Sequence, residues 1–229
     1  ASLAQWNLAS SEALGIIDVW NEISNNYATT VENLAQGLSK SGSTAKAMGL
    51  EFNQTTAIVG TLTAKMKQSG NEIGNFIKAT LPNLISNKGR TILGDLGVQL
   101  EDENGNLRDV IEIYREVAVQ YKDLSQADRN NVTLGLGGKY HIARLQTFLD
   151  DLGSIDSMYD QMYESAENSA NSAINENAVY MESLQAKINL ARVEVEKLAT
   201  AMGEVLFTDA MVAGLQIFGS SLSAISAFV

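Results

Sequence analysis

Apolar residues recur at steps of three and four along most of the chain, the spacing that places them on one face of an α-helix. One run predicts an amphipathic helix over 12–38, which Gly42 should end because glycine favours helix termini. Another run predicts a second helix, with Asn53 as its N-cap and Met66 near its end. These patterns indicate a mainly helical chain.

Further along, a helical run over 72–81 stops at Pro82, because proline has no N–H for a helix interior. An Asn-Gly pair within 97–108 predicts a β-hairpin, since a type I′ turn needs positive φ at both central residues. In that register Glu101 faces Arg108 across the strands. We expect a small hairpin or loop here and no larger sheet, and therefore an all-α, mainly α-helical, multi-helix fold.

Helical spacing returns at Asp109, where a long apolar face begins. Ser125 and Asp128 form a capping pattern for the next helix. Three glycines within 134–149 should break or kink the helix that follows, because glycine weakens helix interiors.

The apolar spacing near the C-terminal end differs in kind from that of the preceding helices. Steps of three and four alternate without a slip, which keeps a narrow apolar seam in register with a left-handed partner helix. Asn177 places a polar side chain on this seam, and charges of both signs flank it. A helix hairpin within one chain and self-association between copies both fit the pattern. The seam residues are Met181, Leu184, Ile188, Ala191, Val195, Leu198, Met202 and Val205.

We predict three parts along the chain: a helical core domain over 1–152, a long coiled-coil-like helix over 153–209, and an apolar segment over 210–229. The last segment has no charged residue and has roughly the length that crosses a bilayer. A buried or self-associating helix and a membrane-active segment both fit it. The start at Ala1 without Met suggests a fragment of a longer protein.

Composition and charge exclude several classes of site. The 229 residues include no Cys and one His, which rules out disulfides, thiolate zinc sites, a Cys nucleophile and multi-His metal sites. The 16 Lys and Arg against 27 Asp and Glu give a net charge of −11. A surface that grips phosphates needs clustered cations, so we expect no specific nucleic-acid binding.

Two segments resemble ligand-binding loops but lack required residues. Residues 101–103 are acidic and precede Gly105, yet an EF-hand register would put Leu100 and Ile111 at positions that need oxygen ligands. The glycine-rich segment 135–139 lacks the earlier Gly and the Ser or Thr after Lys that a phosphate-binding loop needs. We interpret the first as a solvated turn and expect no nucleotide site at the second.

Candidate acid or base residues are few. His141 has no carboxylate motif nearby, so we expect a structural or surface histidine. Asp150 and Asp151 end a helix and resemble an exposed terminus more than the separated acid pair of a glycosidase. We therefore expect no enzyme activity, no cofactor and no metal site.

Several segments, in their order and spacing, resemble the core of tail tape-measure proteins from long-tailed phages of Gram-positive hosts. The resemblance covers roughly 12–205, and its most specific block is 96–110, followed by 124–145. The chain departs from the family pattern at 80–84 and has an extra glycine in its Gly-Lys segment. Because each segment alone is an ordinary helix or turn, order and spacing carry the identification. The other matching segments are 20–28, 31–38, 41–49, 60–80 and 180–187.

The resemblance implies a virion structural protein that sets tail length, helps the tail tube assemble and is released during DNA ejection. It also implies other copies of the chain, tail tube proteins and tail-tip or baseplate proteins as partners. The expected location is the lumen of the tail tube, after a stage in the host cytoplasm, with contact to the host membrane during ejection. The alternative function is a membrane-perturbing module that aids genome translocation, which 210–229 would carry.

Overall fold

The computed structural model describes residues 5–6 and 9–202 of the chain. In this part the chain forms ten α-helices and no β-strand, so the all-α prediction is confirmed. A first compact unit ends at Ile174, and a second unit begins at Asn175. After a short 3-10 turn at Ser10–Glu12, the helices are α1 Ala13–Asn26, α2 Val31–Ala47, α3 Phe52–Met66, α4 Gly70–Leu84, α5 Asn87–Asp95, α6 Val110–Tyr121, α7 Gln126–Gly137, α8 Ile142–Leu152, α9 Met158–Glu167 and α10 Ser172–Met202.

Helix α3 is the central helix of the first unit, and α2, α4, α8 and α9 all pack against it. Every residue from Thr55 to Ala64 is buried. A helix enclosed in this way must satisfy its polar side chains without water. The hydroxyls of Thr55, Thr56 and Thr63 do so by donating to the carbonyl oxygen four residues earlier, at 2.8–2.9 Å.

Helices α2 and α4 form the most extensive helix pair, and glycines allow their backbones to approach. A Cβ at Gly74 would lie 2.6 Å from the backbone oxygen of Gly37. A Cβ at Gly70 would overlap the backbone carbonyl of Asn33. The Asn33 side-chain oxygen accepts the backbone N–H of Gly70 at 2.9 Å, so the same close approach also caps α4.

The predicted helix over 12–38 is two helices in the structure. Tyr27 is extended after α1, and the Thr30 hydroxyl caps the N-terminus of α2. Gly42 does not end α2 but lies buried within it, where a Cβ would come 2.9 Å from Oε1 of Gln5. The apolar spacing gave no sign of this break, because each of the two helices buries an apolar face.

Two further predicted helix boundaries differ from the structure. The N-cap of α3 is Glu51 rather than Asn53, and the Gln54 side chain accepts the backbone N–H of Glu51 at 2.8 Å. Pro82 lies inside the last turn of α4, which continues to Leu84. Pro82 is exposed, so the carbonyl that loses its N–H partner can be hydrated.

The loop over 97–108 contains one isolated antiparallel bridge, and its predicted register was wrong. Glu101 lies opposite Leu107 rather than Arg108. Within the Asn-Gly pair only Gly105 has a positive φ, at +81°. Five residues therefore separate Glu101 from its partner Leu107, whereas a type I′ turn at the Asn-Gly pair would leave six between Glu101 and Arg108.

The two residues that were predicted to face each other bind helices outside the loop instead. Glu101 pairs with Arg90 at 2.7 Å, and Arg108 pairs with Glu116 at 2.5 Å. The hydrogen bond from Arg108 lowers the pKa of the Glu116 carboxyl, because it stabilises the charged form. These ion pairs join the loop to α5 and α6.

The structure confirms the predicted cap at Ser125 and shows a further cap at Asp109, where the sequence predicted only the return of helical spacing. Asp109 begins α6 by accepting the backbone N–H groups of the second and third residues of that helix, at 2.8 and 3.0 Å. The Ser125 hydroxyl accepts the backbone N–H of Asp128 at 3.2 Å. The predicted glycine break falls at Gly138, whose φ is +70°. Not every signal of this kind held, because the predicted N-cap of α3 and the predicted glycine end of α2 were wrong.

Asp151 is not part of an exposed terminus, so that interpretation was wrong. Its relative exposure is 1%, and its carboxylate accepts the Ser157 hydroxyl at 3.1 Å. It also accepts the backbone N–H groups of Met158 at 3.1 Å and Tyr159 at 2.9 Å, while Lys65 of α3 lies 2.5 Å away. The end of α8 thus supplies the anion for the N-terminus of α9.

The range 153–209, assigned from the sequence to one long helix, contains two helices in the described part. Helix α9 buries three of its residues in the core of the first unit and packs against α1 and α3, and α10 begins only at Ser172. The end of the compact unit at Ile174 therefore does not coincide with the predicted boundary at residue 152.

Gly70→Ala should lower the free energy of unfolding by about 3 kcal/mol, because the new methyl group would displace the Asn33 backbone. Gly15→Ala is the matched control: its site in α1 is open, so better helix propensity should raise stability by about 0.5–1 kcal/mol. Urea unfolding followed by circular dichroism measures both. Equal stabilities of the two variants would contradict glycine-dependent packing of α2 on α4.

Asp151→Ala should cost about 3 kcal/mol of stability, because it removes the partner of Lys65 and leaves buried N–H groups of α9 without an acceptor. Asp150→Ala removes the same charge from the exposed neighbouring position and should change stability by less than about 0.5 kcal/mol. Thermal and urea unfolding of the two variants make the comparison. A similar loss in both would mean that net charge, not this contact, matters.

Candidate self-association helix

Two acidic residues of α1 hold the first turn of α10. The Asp18 carboxylate accepts the backbone N–H groups of Asn171 and Ala173, each at 3.0 Å. The Ser172 hydroxyl donates to Glu22 at 2.6 Å. Asn171 has a φ of +65°, a left-handed conformation that asparagine tolerates better than most residues. The N-terminus of α10 is therefore capped by a different helix, about 150 residues earlier in the chain.

This anchor was not found from the sequence. Asp18 and Glu22 are four residues apart, so they share one face of a helix. That spacing was the available signal, but it is equally typical of a solvated face. Nothing in the sequence near α10 identifies its capping acceptor, because that acceptor lies on α1 and only the folded chain brings the two helices together.

Helix α10 carries the predicted seam in the part of it that the structure describes. The larger seam side chains are half-buried and Ala191 is exposed; the half-buried residues are Met181, Leu184 and Ile188. The other seam side chains lie outside the described residues. They are Val195, Leu198 and Met202, whose backbones belong to α10, and Val205, of which nothing is described.

Polar residues on both sides of the seam are exposed, among them Glu182, Lys187 and Arg192. Lys197 and Glu194 form an ion pair at 3.0 Å, but their side chains are 67% and 71% exposed, so the pair adds little to stability. An apolar stripe between charged flanks is the arrangement of a coiled-coil helix. The described part of this helix therefore offers apolar contact area along one stripe.

The loop that resembled a calcium site uses its acid to shape a turn. Asp102 accepts the backbone N–H groups of Asn104 at 2.9 Å and Asn106 at 2.8 Å. The hydrogen bonds from Asn106 lower the pKa of the Asp102 carboxyl. Over the described ranges, no three His, Asp or Glu side chains lie close enough together to hold a metal ion.

His141 directly precedes α8, and its side chain is partly buried against neighbouring residues. Its ring packs edge-on against Phe76, with centroids 5.8 Å apart, and its Nδ1 lies 3.3 Å from Arg144. Burial, and then the charge of Arg144, lower the pKa of His141. Arg144 itself donates to Gln68 at 2.7 Å. The contacts of this histidine are those of a packed side chain.

Among the helices that the structure describes, none combines the length and apolar character needed to cross a membrane. The apolar segment 210–229 lies outside the described residues.

Comparisons with known proteins match this chain to proteins of phage tails. A family model described as phage-related minor tail protein matches residues 1–138. A probable tape measure protein of Halomonas phage phiHAP-1 is 23% identical over 202 residues, which are 86% of this chain and 23% of that protein. The tape measure protein of Pneumococcus phage Dp-1 is 22% identical over 208 residues, 90% of this chain and 18% of that protein.

A probable tape measure protein of Escherichia phage P2 is 27% identical over 119 residues, 51% of this chain and 14% of that protein. The chain spans less than a quarter of the length of each of these curated relatives. No solved structure matches it. With more than half of its residues matched by one family model, the chain belongs to the phage-related minor tail protein family, as the resemblance to tape-measure proteins predicted.

Proposed function

We propose that this chain is a segment of a tail tape measure protein, which sets tail length, supports assembly of the tail tube and leaves during DNA ejection. It acts in the lumen of the tail tube, after synthesis in the host cytoplasm, and contacts tube and tail-tip or baseplate proteins. It works by occupying length and by packing, without catalysis or a cofactor. The names of its relatives support this role.

The observation that carries the proposal is the high helix content of the described chain, which forms ten α-helices and no β-strand. A helix advances about 1.5 Å per residue, so residue count converts linearly into distance. Helix α10, with 31 residues, alone corresponds to about 46 Å. A ruler requires this proportionality, which a globular fold of sheets and loops does not offer.

The compact unit can contribute length only if its helices separate inside the tube. Its buried serine and threonine hydroxyls support such an opening, because most donate to a carbonyl of their own helix. In addition to the α3 threonines, the pairs are Ser41 with Gly37 at 2.9 Å, Thr80 with Phe76 at 2.8 Å and Thr133 with Arg129 at 2.9 Å. Separated helices keep these bonds, so opening leaves few unpaired polar groups.

Duplicating residues 178–198 in the parent gene tests the ruler. The 21 residues are three heptads, so the seam keeps its register, and each added copy should lengthen the tail by about 32 Å. Electron microscopy of a series with one, two and three copies measures the slope. The control changes the same segment without changing its length, through Ser183→Glu and Gln185→Glu. Tails of constant length across the duplication series would contradict the proposal.

The second part of the proposal is that the α10 seam joins copies of the chain. Its support is the unbroken heptad spacing, the half-buried large side chains and the exposed charged flanks. Two such seams pack knobs into holes and remove apolar area from water, which is the main source of coiled-coil stability. Copies aligned side by side would also share one length.

The double substitution Leu184→Glu and Ile188→Glu should weaken self-association by at least about 100-fold, because it places charges in the apolar contact. Ser183→Glu and Gln185→Glu add the same charge at exposed positions beside the seam and should leave association unchanged. Sedimentation equilibrium of the chain and both variants gives the constants. A monomeric parent chain whose seam variant loses helix content would instead support a hairpin within one chain.

A further inference from the structure

One arginine of the compact unit has no carboxylate partner. In a chain with 27 acidic and 16 basic residues, acids are available for every arginine. Four of the five arginines in this unit form ion pairs with acids, whereas no acid of the described residues lies within ion-pair distance of Arg129. The paired residues are Arg90 with Glu101, Arg108 with Glu116, Arg115 with Asp160 and Arg144 with Glu72.

Arg129 is nevertheless held in a defined orientation. One terminal nitrogen donates to the backbone oxygen of Lys122 at 2.5 Å, and the guanidinium lies 5.4 Å from the centre of the Tyr121 ring. Its Nε is buried and has no hydrogen-bond acceptor. An oriented guanidinium without an acid is prepared to bind a carboxylate, because its donors match that group in geometry and charge.

Arg129 lines a surface cavity of about 450 Å³ at the junction of α6, α7 and α8. Tyr121 and Leu124 give the cavity an apolar part, and three amide side chains, Gln126, Asn130 and Gln146, give it a polar part. The charge of Asp150 acts on Tyr121, whose pKa is raised first by burial and then by this acid. That acid opposes binding of a free anion, so the cavity favours a ligand with an apolar group beside its carboxylate.

The turn between α8 and α9 presents such a pair of groups. Ile155 is completely exposed, and the carboxylate of the neighbouring Asp156 has no ion-pair partner in the described part of the chain. The turn is ordered by hydrogen bonds: the Ser154 hydroxyl accepts the N–H of Asp156 at 3.3 Å, and Lys122 donates to the Gly153 carbonyl. The turn thus presents an exposed apolar side chain beside this carboxylate, and it holds both in a defined position.

We propose that two copies of the chain dock through this surface, with Ile155 of each copy entering the cavity of the other and Asp156 pairing with Arg129. Lys122 contacts both the turn and Arg129, so turn and cavity are neighbours on one surface. Neighbouring complementary features on one surface produce a two-fold, reciprocal contact. The contact is separate from the α10 seam and does not depend on the tape-measure role.

The test uses charge reversal in the full 229-residue chain carrying Leu184→Glu and Ile188→Glu, so that seam contacts are absent. Arg129→Asp and Asp156→Arg should each weaken dimerisation at least about 10-fold, and their combination should return it to within about 3-fold. Ile155→Ser should weaken it about 30-fold, because an apolar anchor is lost. Sedimentation equilibrium measures the constants, and circular dichroism verifies that each variant folds.

Two matched controls make the outcome specific. Asp123→Arg makes the same charge change as Asp156→Arg at another exposed acid, and Ile85→Ser removes an exposed isoleucine elsewhere. Neither should change the dimerisation constant. Absence of rescue in the double reversal, or equal effects of Asp156→Arg and Asp123→Arg, would overturn the proposal. A chain that stays monomeric up to about 500 μM would also overturn it and leave the cavity to a carboxylate-bearing segment of another protein.

Discussion

A helix surrounded by other helices has no access to water, so every polar group that it carries must find a partner inside the protein. Helix α3 meets this constraint with threonines, whose hydroxyls bond backwards to its own backbone. Its neighbours then pack against it mainly through apolar and small residues, apart from polar contacts such as the Lys65–Asp151 ion pair and the contact of Thr61 with Met162. The arrangement of α2, α4, α8 and α9 around it depends on this self-sufficiency, because no neighbour has to supply a polar partner along most of its length.

Local chemistry in the sequence predicted some helix ends well. Ser125 was found as a cap, because its hydroxyl bonds to the N–H group three residues away, whereas Asp109 was found only as the start of helical spacing. The helix ends predicted at Gly42 and Pro82 were wrong, because glycine can also serve close packing and an exposed proline is tolerated near a helix end. The break after Tyr27 was missed because apolar spacing reports which side of a helix is buried, not whether the helix is continuous.

The sequence predicted the spacing of the seam residues but not the contacts that hold the start of α10. The seam follows from periodicity, whereas Asp18 caps α10 from a helix at the other end of the compact unit's sequence. Asp151 shows the same limitation, because it looks like a surface acid until α9 brings its N–H groups to it. Several acids thus have a structural use: carboxylates of Asp18, Asp102, Asp109 and Asp151 all accept backbone N–H groups.

The self-bonded threonines of α3 also have a calorimetric consequence. Complete unfolding exposes apolar side chains and peptide groups together, and their contributions to the heat-capacity change have opposite signs. Separation of intact helices exposes the apolar faces while the peptide groups remain bonded. Each square ångström uncovered in that way carries a larger positive heat-capacity increment than in full denaturation, and the separation becomes easier on cooling, when apolar burial weakens.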